Sequence, residues 1–266
     1  YGVLGLKTHA KMLLLTRREG RTLKRYGHLS TGNYNPRTAR LYTDVSCLTA
    51  DPLLTTDMEH LFVHIASQSR LPRMNRLLLA PFGLHDQLIA KLSALGALAS
   101  AGKDARVVAK MNALTDEALI HALVAAGQQG VKIDLIVRGA CMLPAGVPGV
   151  TDHIRVRSVI GRFLEHSRVF YFRGDGKEEL WLSSADWMNR NMLRRVELAW
   201  PVTDPALRQR LIDECLVAYL HDGRDAWDMA SDGVYHRVDL ATQAVGHGAQ
   251  AALMARYAAP ESDQGA

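Results

Sequence analysis

The chain of 266 residues is 48% hydrophobic and 22% charged, enough to bury one large core or two ordinary ones. No apolar run reaches the roughly 18 residues of a membrane span, and no signal-peptide order of charged, apolar and small residues occurs, so a soluble, cytoplasmic protein is expected. The net charge of +5, carried by arginine more than lysine, suits an anionic partner, while Cys47, Cys141 and Cys215 lie outside any paired spacing and argue against a disulfide framework or a cysteine zinc site.

Taken in chain order, residues 1–6 are strand-like and open without Met, as a piece of a longer polypeptide would. Residues 12–15 and 23–29 read as strands separated by a turn at Glu19 and Gly20, with a second turn over residues 33–36. Leu61, Phe62, Ile65 and Ala66 give residues 51–69 the spacing of a helix lying against a core. A short strand at 77–80 leads to a helix over 84–101 closed by Gly102. Residues 106–111, a helix capped by Thr115, Asp116 and Glu117, and residues 131–137 then make a βαβ unit. Strands are predicted near 154–158, 169–172, 179–182 and 196–201, then an amphipathic helix over 205–221 and, from 241, a tail that is helical or frayed.

One pattern occurs twice. His9 and Lys11, a hairpin, Thr31-Gly32-Asn33 and then Asp44 recur as His166 and Arg168, a hairpin, Ser184-Ala185-Asp186 and then Glu197. The carboxylate stands eleven residues after Asn33 in one copy and eleven after Asp186 in the other. A histidine and a cation two apart on a strand share a face, so both can meet one phosphate. The small-residue turn offers backbone amides to phosphate oxygens, and the carboxylate can accept one imidazole N–H and leave the other nitrogen free as a nucleophile. Each copy is expected to supply half a site, the pair uniting a nucleophilic histidine with an acid histidine.

Paired HxK motifs of this kind resemble those of the phospholipase D superfamily, with Arg168 in the second lysine's place. Within it, GLKTHAKMLLLTRR (5–18), YGHLSTGNYNPRTARLYTD (26–44), IRVRSVIGRFLEHSRVFYF (154–172) and LSSADWMNRN (182–191) are similar to the histidine-phosphorylating polyphosphate kinases. The resemblance implies an α/β fold of two phospholipase D-like units, the first truncated at its N-terminus. Residues 1–70 would be the end of the first unit, 71–240 the second and 241–266 a tail.

It also implies that the ATP γ-phosphate passes reversibly to polyphosphate through a phosphohistidine on His9, with His166 as second histidine and Lys11, Asp44 and Glu197 completing the catalytic set. Tyr42, Arg138 and His166 would contact the nucleotide, and Lys11, Asn33 and Arg168 phosphate. Mg²⁺ would be held by residues upstream of this chain. ATP or ADP and polyphosphate are the expected partners, nucleic acid is not expected, and a homo-oligomer and peripheral membrane contact are further expectations. A phosphodiesterase of the same superfamily and a catalytically silent polyanion-binding fragment are the alternatives. His28 is a candidate phosphate contact, and Arg155, Arg157 and Arg162 are candidates for lining a polyanion channel.

Overall fold

The structure is a computed structural model and describes residues 5–238 and 248–258. The expected strand at 1–6 and the parts of the expected tail at 241–247 and 259–266 lie largely or wholly outside the described residues.

The first copy of the motif runs through β1 (Lys7–Thr8), β2 (Met12–Glu19), β3 (Thr22–Ser30), a 3-10 turn (Thr38–Arg40), β4 (Tyr42–Thr43) and β5 (Ser46–Thr49) to α1 (Pro52–Ser67). β2, β3 and β5 form an antiparallel sheet. Strand alternation sends Met12, Leu14 and Leu29 inward and leaves Leu13, Leu15 and Leu48 exposed on the other face. α1 starts because Pro52 follows the Asp51 cap, whose carboxylate accepts the amides of Leu53 and Leu54. Its Leu54, Met58 and Leu61 cover the inner face, each buried side chain stabilising the fold by about 1.5–3 kcal/mol. Gly27 permits that approach, since a Cβ there would come within 2.6 Å of the Met58 sulfur. Buried Asp57 accepts the backbone amides of Asn75, Arg76 and Leu77, which ties down the link to the second copy.

That copy comprises β6 (Leu78–Ala80), α2 (Leu84–Ser100), β7 (Ala105–Met111), α3 (Glu117–Gln128), β8 (Lys132–Val137), β9 (Ile154–Val159), β10 (Leu164–Glu165), β11 (Arg168–Gly174), β12 (Lys177–Ser183), α4 (Asn189–Arg194) and β13 (Arg195–Pro201). α5 (Pro205–Ile212) continues through a π turn (Asp213–Val217) into α6 (Ala218–Leu220), and β14 (Ala226–Met229), β15 (Tyr235–Arg237) and α7 (Ala249–Ala258) follow. Among the described residues ten strands form one mixed sheet in the order β1-β13-β12-β11-β7-β8-β9-β14-β15, with β6 also on β13. β7, β8 and β9 are parallel, as the βαβ reading requires.

The sheet separates two cores. Val107, Ala109 and Met111 of β7 face α2 and α3, while Val108 faces the layer that holds α1, the small sheet and α5 to α7. Lys110 shares the side of Val108 and is buried there, a charge in an apolar layer.

Three features depart from the sequence reading. β14 and β15 were not anticipated; they extend the sheet beyond β9. The 205–221 helix is interrupted by the π turn. α7, placed in a tail, packs back on the domain, with Ala249 and Gln250 buried.

Candidate active site

The two copies are joined by backbone before any side chain is considered. β1 lies parallel to β13, with Thr8 opposite Val196, and β10 lies parallel to β4, with Glu165 opposite Thr43. The next amides repeat the pattern: His9 N donates to Val196 O at 2.9 Å and His166 N to Thr43 O at 3.2 Å. Each histidine is thus carried beside the residue that precedes the other copy's carboxylate.

The side chains complete the exchange. His9 Nδ1 is 2.8 Å from Glu197 Oε1 and 2.9 Å from Oε2, and His166 Nδ1 is 2.8 Å from Asp44 Oδ1. The sequence reading set each histidine with the carboxylate of its own copy, as half a site; the wiring is instead crossed between copies. Each carboxylate is held by its own copy. Thr31 Oγ1 donates to Asp44 Oδ1 at 2.7 Å and Ser184 Oγ to Glu197 Oε2 at 2.5 Å, and Asn191 Nδ2 adds 2.8 Å to Glu197 Oε1. Gly32 is required beside Asp44, because a Cβ there would stand 2.1 Å from the carboxylate.

An acceptor at Nδ1 places the N–H there and leaves the Nε2 lone pair free. Lys11 Nζ lies 2.8 Å from His9 Nε2 and 2.9 Å from Nδ1, and Arg168 Nη1 lies 3.2 Å from His166 Nε2 and 3.3 Å from Nδ1, so a cation stands against each ring; Arg168 Nη1 also donates to the His166 carbonyl at 2.8 Å. Burial pushes the Lys11 ammonium down to about 7, against the Glu197 carboxylate; Arg168, Asp44 and Asp186 act on it as well, so charges of both copies converge there. Burial also lowers the His166 imidazole, opposed by its bond to Asp44. Burial alone would raise the Asp186 carboxyl, but the guanidinium of Arg168, bound through Nε and Nη2, outweighs it and holds it low.

A bound phosphate favours protonated Lys11. Its share of anion affinity is therefore full below pH 7 and falls by up to about tenfold per unit as pH rises above the free-site value. Titration calorimetry with tripolyphosphate is expected to show proton uptake near pH 7.5. Lys11→Arg, always charged, should remove that part of the pH dependence.

The other expected residues fall in different places. The Tyr42 and His166 rings have centroids 4.9 Å apart, and Arg138 Nε donates to Asn112 Oδ1 at 2.9 Å and to Glu165 O, so the three residues that the resemblance gives to the nucleotide lie together. Asn33 is exposed at the rim of a cavity of about 360 Å³ that Tyr42, Asp44 and His28 also line. His28 is bonded to Tyr34 Oη at 2.8 Å.

The arginine channel is corrected. Arg157 is buried, donates to Asp228 through Nε and Nη2, and reaches the carbonyls of Leu220 and Asp222, because β14 pairs with β9 there and sets Asp228 opposite it while the end of α6 lies over it. Arg155 is exposed, and Arg162 lies exposed on the loop before β10. Arg157→Ala should lower stability by about 1–3 kcal/mol in urea unfolding, chiefly through the buried carbonyls left without a donor, since Asp228 stays half-exposed to water, and leave polyphosphate affinity of the folded protein unchanged.

Sequence reasoning missed Lys110, Asn112, Glu165, Asn191 and Gln250. Among the described residues no group of three His, Cys, Asp or Glu side chains is placed to hold a metal ion, and Asp44, Asp186 and Glu197 are already engaged by donors. No helix among them is long and apolar enough to cross a membrane.

Fold and site define a class: a mixed α/β protein in which two copies of a histidine, cation and carboxylate set are wired across each other. The family model described as polyphosphate kinase C-terminal domain 1 matches residues 1–71, and that described as polyphosphate kinase C-terminal domain 2 matches residues 77–250. The chain belongs to the polyphosphate kinase family. It is 49% identical over 254 residues to a polyphosphate kinase of Xylella fastidiosa strain Temecula1, covering 96% of this chain and 36% of that protein. To one of Pseudomonas aeruginosa it is 49% identical over 260 residues, covering 98% and 38%. The crystal structure of polyphosphate kinase from Porphyromonas gingivalis superposes with a TM-score of 0.86 at 36% identity, covering 96% of this chain and 39% of that one. The chain thus spans little more than a third of the length of these relatives.

Proposed function

We propose that this chain carries the catalytic centre of a polyphosphate kinase. The observation that supports it most directly is the pair of imidazoles, each fixed at Nδ1 by a carboxylate and each with a cation against its ring. In the forward direction His9 Nε2 attacks the γ-phosphorus of ATP. The N–P bond forms as the bond to the β,γ-bridging oxygen breaks, and the electron pair leaves with ADP. The terminal oxygen of a polyphosphate chain then attacks the phosphohistidine, the N–P bond breaks, and the electron pair returns to Nε2.

Lys11 and Arg168 offset charge on the transferring group. Tyr42, Arg138 and His166 hold the nucleotide, and Asn33, at the rim of the cavity that Tyr42 and Asp44 line, contacts phosphate. Magnesium would come with the nucleotide, held by residues outside this chain, and no step above is assigned to it. Homo-oligomers and peripheral membrane contact belong to the same proposal and are read by light scattering and vesicle flotation.

The test is incubation of this chain, and of the full-length protein carrying it, with γ-labelled ATP. Acid-labile label on His9 that is chased onto polyphosphate supports the reading. Label released only as inorganic phosphate would mean that water is the acceptor, as in a hydrolase. Nucleotide or polyphosphate binding without label in either protein would mean a polyanion-binding module.

A further inference from the structure

The pseudo-twofold relation between the copies makes their differences informative. Thr8 and Glu165 occupy equivalent positions, each one residue before its histidine and each opposite the residue that precedes a carboxylate. Thr8 is exposed on the edge strand. Glu165 is buried, and four donors from four separate segments converge on its carboxylate. Lys110 Nζ of β7 lies 2.6 Å and Thr43 Oγ1 of β4 2.8 Å from Oε2; Tyr219 Oη of α6 and Gln250 Nε2 of α7 lie 2.9 and 2.5 Å from Oε1. Its backbone carbonyl accepts from Arg138. Gln250 also closes a two-way bond with the backbone of Phe163, accepting from its N–H at 2.8 Å and donating to its carbonyl at 2.9 Å.

Every residue assigned above to the nucleotide is one step from this point. Tyr42 precedes Thr43 and lies opposite Leu164, Arg138 binds the Glu165 carbonyl, and His166 follows it in sequence. The His9 half depends on other groups: Glu197, Ser184 and Asn191. We propose that Glu165, locked to the C-terminal helix by Gln250, is a positioning residue for the nucleotide side of the site alone. It touches no reacting atom. It acts by fixing β10 against β4, and it makes α7 part of the catalytic unit.

This inference rests on the kinase reading. The experiment uses the full-length protein with Glu165→Gln, Gln250→Ala, and Lys110→Met combined with Glu165→Gln. The double variant removes both buried charges together, so it guards against a simple unpaired-charge failure to fold. The expected result for each is a KM for ATP raised about tenfold or more, with phosphorylation of His9 at saturating ATP within about threefold of wild type. The double variant should recover the melting temperature lost by Glu165→Gln but not the nucleotide affinity. Recovery of both together, or an equal fall in kcat with KM unchanged, would assign these residues a purely structural role and overturn the proposal. Absence of label in the wild-type protein would instead remove the kinase reading, and the positioning role with it.

Discussion

His9→Ala is expected to reduce acid-labile labelling from γ-labelled ATP to background, and polyphosphate synthesis by at least roughly 10⁴-fold in the full-length protein. Its Nδ1 is engaged by Glu197, which leaves Nε2 as the attacking atom, with Lys11 2.8 Å away. An alanine has no substitute, since His166 is turned toward Asp44 and belongs to the other half. His166→Ala should behave differently, weakening nucleotide binding while a residue of slow labelling on His9 persists. Normal label in the His9 variant would falsify the nucleophile assignment.

The second large effect follows from the crossed carboxylates. Glu197→Gln is expected to lower the rate of His9 phosphorylation by about 10³–10⁴-fold, because an amide that can donate to Nδ1 favours the tautomer whose Nε2 carries the proton. The fold should survive, since glutamine keeps the shape: its carbonyl oxygen can still accept from Asn191, and its amide can donate to the Ser184 hydroxyl, which turns to accept. Asp44→Asn should spare the labelled imidazole relative to Glu197→Gln and act instead on nucleotide affinity through His166. Pairing within each copy would predict the reverse. Single-turnover labelling beside ATP titrations of both variants decides between the two arrangements.

Much of this centre could be read from the chain because the repeat is linear. Histidine, cation, small turn and carboxylate keep their order in both copies, and spacing alone gathers His9, Lys11, Asp44, His166, Arg168 and Glu197. Spacing cannot say which carboxylate serves which histidine. That depends on the parallel pairing of β1 with β13 and β10 with β4, in which β1, β4 and β10 are strands of two residues that carry no periodic signal. Lys110 and Glu165 were missed for a related reason: in sequence a buried ion pair looks like two solvated charges, and only the packing of α6 and α7 over them removes the water. Arg157 was misread likewise, the strand that sets Asp228 beside it, β14, being too short to announce itself. The π turn at Asp213–Val217 adds one residue per turn without a compositional mark, so the 205–221 helix read as continuous.

The exchange of carboxylates also acts as an interlock during assembly. Glu197 reaches His9, and Asp44 reaches His166, only once the two halves have docked; a half-folded chain keeps each histidine beside its own cation but leaves the imidazole free to flip between tautomers. The two histidine–carboxylate pairs are thus the last contacts of the centre to form, after the halves have closed on each other, and each half withholds what fixes the tautomer of the other.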